Sequence, residues 1–188
     1  MVGLLKVTDL RGQTPPTSAL RRVLPRGGMD VASAIHIVSP IIDAVKESGG
    51  SAALDYGEKF DGVRPDAVRV PSDVIEASVD QLDPKVKAGL EEAIRRIRAV
   101  HADQKPTGQT TQLAPGASVT EVFLPISRVG LYVPGGKAVY PSSVLMNAIP
   151  AKVAKVPQIV MVTPPGPNKA INAAVLVAAQ EAGIQEIY

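Results

Sequence analysis

Residues 128–154 read RVGLYVPGGKAVYPSSVLMNAIPAKVA, and the order of residue types in this stretch decides the fold. Val129-Gly130-Leu131-Tyr132-Val133 is an apolar run of strand length. Pro134-Gly135-Gly136 ends it with residues that allow tight or left-handed turns. After Pro141, Ser142 and Ser143 suit the cap of a helix whose apolar face includes Val144, Leu145, Ala148 and Ile149. Strand, turn and helix N-terminus in that order put free backbone N–H groups at the carboxyl edge of a sheet, where α/β proteins receive anions and nucleotides. The glycine spacing is not G-x-G-x-x-G, so the turn alone also reads as an ordinary strand-to-helix connection.

Downstream the pattern is βαβαβ, with strands at 129–133, 158–163 and 185–188 and helices at 142–154 and 168–182. Such alternation predicts a parallel sheet with right-handed crossovers. Ile159-Val160-Met161-Val162 reads as a strand apolar on both faces, and Pro150 as a bend in the helix before it. Thr163-Pro164-Pro165-Gly166 is a second turn at the same sheet edge, and a groove between the two turns would form half of a dinucleotide site. The last strand signal, Gln185-Glu186-Ile187-Tyr188, has no turn residue after it, which predicts an incomplete sheet and a fragment of a longer protein.

Upstream the chain is charged and helical. Helices are expected at 19–24, at 31–47 behind an Asp30 cap with a break or kink at Pro40, at 52–60, at 73–81 and at 85–104. A short strand is expected at 68–70, and segments 110–113 and 118–124 read as a hairpin around Pro115-Gly116. The composition shifts at about residue 128 toward Gly, Pro and Val. The division that follows is an N-terminal arm over 1–24, an α-rich region over 25–127, and the start of a Rossmann-like domain over 128–188.

Hydrophobic residues make up 45% of the chain and aromatic ones only 3%, so Val, Ile, Leu and Ala must build the core. A net charge of +2 with interspersed signs gives no footing for nucleic acid or an anionic membrane. The absence of cysteine excludes a disulfide framework and thiolate metal ligation, and fits a cytoplasmic protein. Arg95, Arg96, Arg98 and His101 read as one solvated helix face with ion pairs to Glu91 and Glu92, because no aromatic residues interleave for base stacking. His36 and His101 lack ligand spacing and receive no chemistry.

The string GLYVPGGKAVYPSSVLMNAIPAKVA, with LRGQTP, YGEKFDG and QIVMVTPP in the same order, resembles histidinol dehydrogenase of actinobacterial type over essentially the whole chain. The resemblance implies an aldehyde-dehydrogenase-like α/β fold: an α-rich N-terminal region followed by the first part of an incomplete Rossmann-like sheet. It implies oxidation of L-histidinol through the aldehyde to L-histidine, by two hydride transfers to NAD⁺, in a homodimer with one zinc per subunit. By that resemblance Tyr132 and Pro134 contact NAD, with Pro164 as a second wall. The family's catalytic Glu-His pair and its zinc ligands have no matching positions here, so the chain alone is expected to be inactive. Lys155 stands where the family has glycine, which predicts a poorer end for the preceding helix. The alternative is a non-catalytic nucleotide- or phosphate-binding α/β module.

Overall fold

The structure is a computed structural model that describes residues 8–23, 31–135 and 138–188; the Asp30 cap and Gly136 lie outside the described residues. Two compact units divide at Ser48. In the first, α1 spans Thr17–Val23 and α2 spans Val31–Ser48. Of the break or kink expected at Pro40, the break does not occur, since α2 runs through it as one helix. Pro40 is exposed, so the carbonyl it leaves without an N–H partner can turn to water instead of ending the helix.

The second unit opens with α3, Gly50–Asp61, closed by Gly62 in the left-handed conformation. Then come α4 (Ser72–Ala77), a 3-10 turn (Val79–Gln81) and α5 (Pro84–Asp103). Asp83 caps α5 by accepting a hydrogen bond from the Lys85 N–H at 2.7 Å, with Pro84 in the first turn where its missing N–H costs nothing. A hairpin of β1 (Thr110–Ala114) and β2 (Ala117–Thr120) follows, exposed along its length.

The parallel sheet joins β3 (Arg128–Tyr132) and β4 (Gln158–Val162), with Tyr132 opposite Val162. Between them runs α6, Pro141–Val153, continuous through Pro150; after β4 comes α7, Ala173–Glu181. The expected third strand is only a short parallel lane. Met161 N–H donates to the Glu186 carbonyl, and Tyr188 N–H to the Met161 carbonyl, both at 2.9 Å. On the lane's other side Val70 N–H donates to the Ile187 carbonyl at 2.9 Å, so segment 68–70 borders the sheet without forming the strand expected of it.

Side-chain alternation sorts the sheet's two faces. Val133, Ile159, Met161 and Ile187 are buried, in one core with Val144, Leu145 and Ile149 of α6, Val175–Ala179 of α7, and Ile75 and Leu90 from upstream. Tyr132 and Val162, on the opposite face, are exposed. The expectation that β4 is buried on both faces is therefore corrected. Both crossovers advance in the same direction across the sheet, so right-handedness puts α6 and α7 on one side of it.

Candidate functional site

Tyr132 is the last residue of β3 and is 66% exposed. The strand reads exposed and half-buried in alternation, so the period-2 geometry of the backbone turns Leu131 into the core and Tyr132 out of it. Val133 then buries completely and donates its N–H to the Val162 carbonyl at 2.9 Å, which fixes the strand's end beside β4. Pro134 and Gly135 follow on the surface.

The turn after β4 meets this loop. A Cβ on Gly135 would stand 2.7 Å from Pro164 Cγ and 3.2 Å from the Pro164 carbonyl oxygen, so the glycine serves close approach between the two turns. The two turns expected at one edge are thus brought together. At Gly135 they touch, so no open groove separates them at that point. Residues 163–165 form a partition. Pro164 packs on the β3 loop, whereas Thr163 and Pro165 face a cavity of about 430 Å³ on the far side.

That cavity was not foreseen. Its lining also includes segment 65–71 with Val74, residues 168–171 ahead of α7, Leu176 within α7, and Tyr188. Lys169 bridges the two rims through an ion pair to Asp66 at 3.3 Å and holds its own backbone at φ +63°. Sequence periodicity carries no signal for such a space, because its walls come from segments about a hundred residues apart. The left-handed backbone that Lys169 needs, after the turn-forming run Pro164-Pro165-Gly166-Pro167-Asn168, was the one available hint.

On the open face of the sheet a polar ladder crosses the lanes. Arg128 Nε donates to Gln158 Oε1 at 2.8 Å, Gln158 Nε2 to Glu186 Oε2 at 3.3 Å, and the Tyr188 hydroxyl to Glu186 Oε1 at 2.9 Å. The Tyr188 bond, more than the Gln158 one, holds the Glu186 carboxyl below its ordinary range, and Glu186 in turn raises the Tyr188 phenol. His36 is exposed and His101 half-buried on separate helices, and no group of three or more His, Asp or Glu among the described residues could hold a metal.

A parallel α/β layer with both crossover helices on one face, and its turns gathered at the carboxyl edge, defines the class. The chain belongs to the histidinol dehydrogenase family, whose profile matches residues 24–188. It is 56% identical over 187 residues to histidinol dehydrogenase of Corynebacterium efficiens, covering 98% of this chain and 42% of that protein. The Mycobacterium leprae histidinol dehydrogenase is 53% identical over 162 residues, 86% of this chain and 36% of the relative. The crystal structure of histidinol dehydrogenase from Elizabethkingia anophelis superposes with a TM-score of 0.80 at 30% identity, over 93% of this chain and 40% of that one. The chain therefore spans about two fifths of the length of these relatives.

Proposed function

We propose that this chain supplies the front part of an NAD-dependent, zinc-requiring dehydrogenase that oxidises L-histidinol through L-histidinaldehyde to L-histidine. The observation that carries the reading is Tyr132, exposed at the carboxyl end of a parallel strand within a chain of this family. NAD⁺, when bound, accepts the hydride at each of the two oxidation steps. Tyr132 offers its ring to one side of the dinucleotide and its hydroxyl to ribose or phosphate, while Pro134 stiffens the loop beneath. The zinc and the acid/base pair fall to the part of the relatives' length that this chain does not span. Domain division near Arg128, a homodimeric whole enzyme and a cytoplasmic setting belong to the same proposal.

Isothermal calorimetry of NAD⁺ with the 188-residue chain tests the cofactor contact. Tyr132→Ala is expected to weaken binding by about tenfold, the loss of one stacked ring and a hydrogen bond. An unchanged dissociation constant removes Tyr132 from the site. Tyr132→Phe isolates the hydroxyl, with an expected loss of about two- to tenfold.

The second reading is a non-catalytic nucleotide- or phosphate-binding α/β module, which turns at the carboxyl edge of a parallel sheet would serve equally. The two readings part at the DNA that follows codon 188. An open frame leading to a Glu-His pair supports the dehydrogenase, and a stop codon supports the module.

A further inference from the structure

Part of the cavity wall depends on the terminal lane 186–188. Tyr188 belongs to both, and segment 65–71 hangs from the lane through the Val70 N–H, which donates to the Ile187 carbonyl at 2.9 Å. The lane itself is short. It joins β4 through the N–H groups of Met161, Thr163 and Tyr188, each bond at 2.9 Å, and through Ile187, which packs into the core beneath. Glu186 and Tyr188 point the other way, half-buried, into the ladder on the open face.

That ladder has a direction. Arg128 can only donate, so its Nε bond at 2.8 Å turns Oε1 of the Gln158 amide toward β3. The amide nitrogen then faces the lane and donates to Glu186 Oε2 at 3.3 Å. From the other end the Tyr188 hydroxyl donates to Glu186 Oε1 at 2.9 Å. Glu186 must therefore accept from both sides at once. A carboxylate does this; a carboxylic acid would set its proton against the Gln158 amide or force the Tyr188 hydroxyl to stop donating. The charged and titratable groups around Glu186 are Tyr188 on its own lane, Arg128 on β3 and Arg69 on segment 65–71. Each favours the ionised acid, and β4 supplies the neutral Gln158.

We propose that the ladder is a strap: it fastens the terminal lane across the open face of the sheet, and it loosens the lane, with segment 68–70 and that side of the cavity, when Glu186 takes up a proton. The Tyr188 bond first, then the Gln158 bond, keep the Glu186 carboxyl below its ordinary 4.5. The strap is thus whole above that value and is lost as pH falls below it. This outcome is independent of whether Tyr132 touches NAD⁺.

Amide hydrogen exchange of the 188-residue chain, followed by NMR, reads the strap directly. Protection at Val70, Thr163 and Tyr188 is taken relative to Ala182, whose N–H donates to the Ala178 carbonyl at the end of α7. At pH 7, Glu186→Gln is expected to lower that relative protection by about tenfold, and Gln158→Ala by about three- to tenfold. In the parent the same roughly tenfold should disappear as pH falls below 4.5, whereas Glu186→Gln, with no proton to gain, keeps its lower value throughout. A residue that only filled space would show no such difference in pH profile. Relative protection equal in Glu186→Gln and the parent at pH 7 overturns the strap, as does an unprotected Val70 amide in the parent. The pH series on the parent needs no substitution, so a variant that fails to fold leaves it decisive: relative protection that stays constant through acid also overturns the strap.

Discussion

Lys155 shows what one residue costs at a helix end. Its φ of +60° is left-handed, and around it the Lys155 N–H donates to the Lys152 carbonyl while the Val156 N–H donates to the Ala151 carbonyl. These are the paired bonds of a Schellman motif, normally built on glycine. The helix α7 closes in the same way with glycine in the matching place: Gly183 at φ +81°, bonded to Gln180, and Ile184 bonded to Ala179. A side chain at such a backbone costs about 1–2 kcal/mol, part of which glycine returns through greater freedom when unfolded. Lys155→Gly is therefore expected to raise stability by about 0.5–1 kcal/mol, read as a higher urea midpoint at unchanged slope. The reverse holds at Gly135, whose missing Cβ is what lets Pro164 approach. Gly135→Ala is expected to cost about 1–3 kcal/mol and to weaken NAD⁺ binding in the same protein, measured by urea titration and calorimetry.

Among the elements, α5 carries the most legible charge pattern. Glu92 accepts from Arg95 Nε and Nη2, at 2.7 and 2.8 Å, and from Arg96 Nε at 2.7 Å. The Arg95 bonds first, then the Arg96 bond, pull the Glu92 carboxyl from 4.5 down to about 2. A depressed acid stabilises the folded chain above its unfolded value and loses that contribution as pH falls. The melting temperature of Glu92→Gln should thus lie slightly below that of the parent at pH 7. The gap should close between about pH 4.5 and 2, and remain small throughout because the fork is exposed. The helices α5 and α6 and the strands β3 and β4 could be read from the sequence within a residue or two, since each is an apolar repeat or run bounded by Gly, Pro or a cap. Elsewhere the local signal was overridden. The helix expected from 168 starts only at Ala173, because Asn172 Oδ1 takes the Ala174 N–H and the preceding residues spend themselves on the turn that walls the cavity. The motif marked Tyr132 as the candidate cofactor contact, and the alternation along β3 accounts for its exposure. The burial of Thr163 carried no signal of its own, since only tertiary packing produces it.

For the molecule as a whole, stability concentrates where the sheet meets α6 and α7. Leu145 is 1% exposed in that core, and Leu145→Ala should cost about 2–5 kcal/mol, a large share of a typical domain's 5–15. Leu124, 81% exposed, provides the control, because Leu124→Ala should change stability by no more than about 0.5 kcal/mol. Urea denaturation of both variants settles the contrast.

The bond from Val70 to Ile187 and the ion pair from Asp66 to Lys169, the latter spanning 103 positions of sequence, close the second unit upon itself from its two ends. A ribosome must release the chain past residue 169 for the ion pair, and past residue 187 for the backbone bond, before either contact can exist. Until then the lane at 186–188 has no neighbour on that flank, and the chamber between segments 65–71 and 163–171 has only one wall. Loop closure over such a distance is slow relative to helix formation, so α5 and α6 form early and the chamber is the last part to take shape.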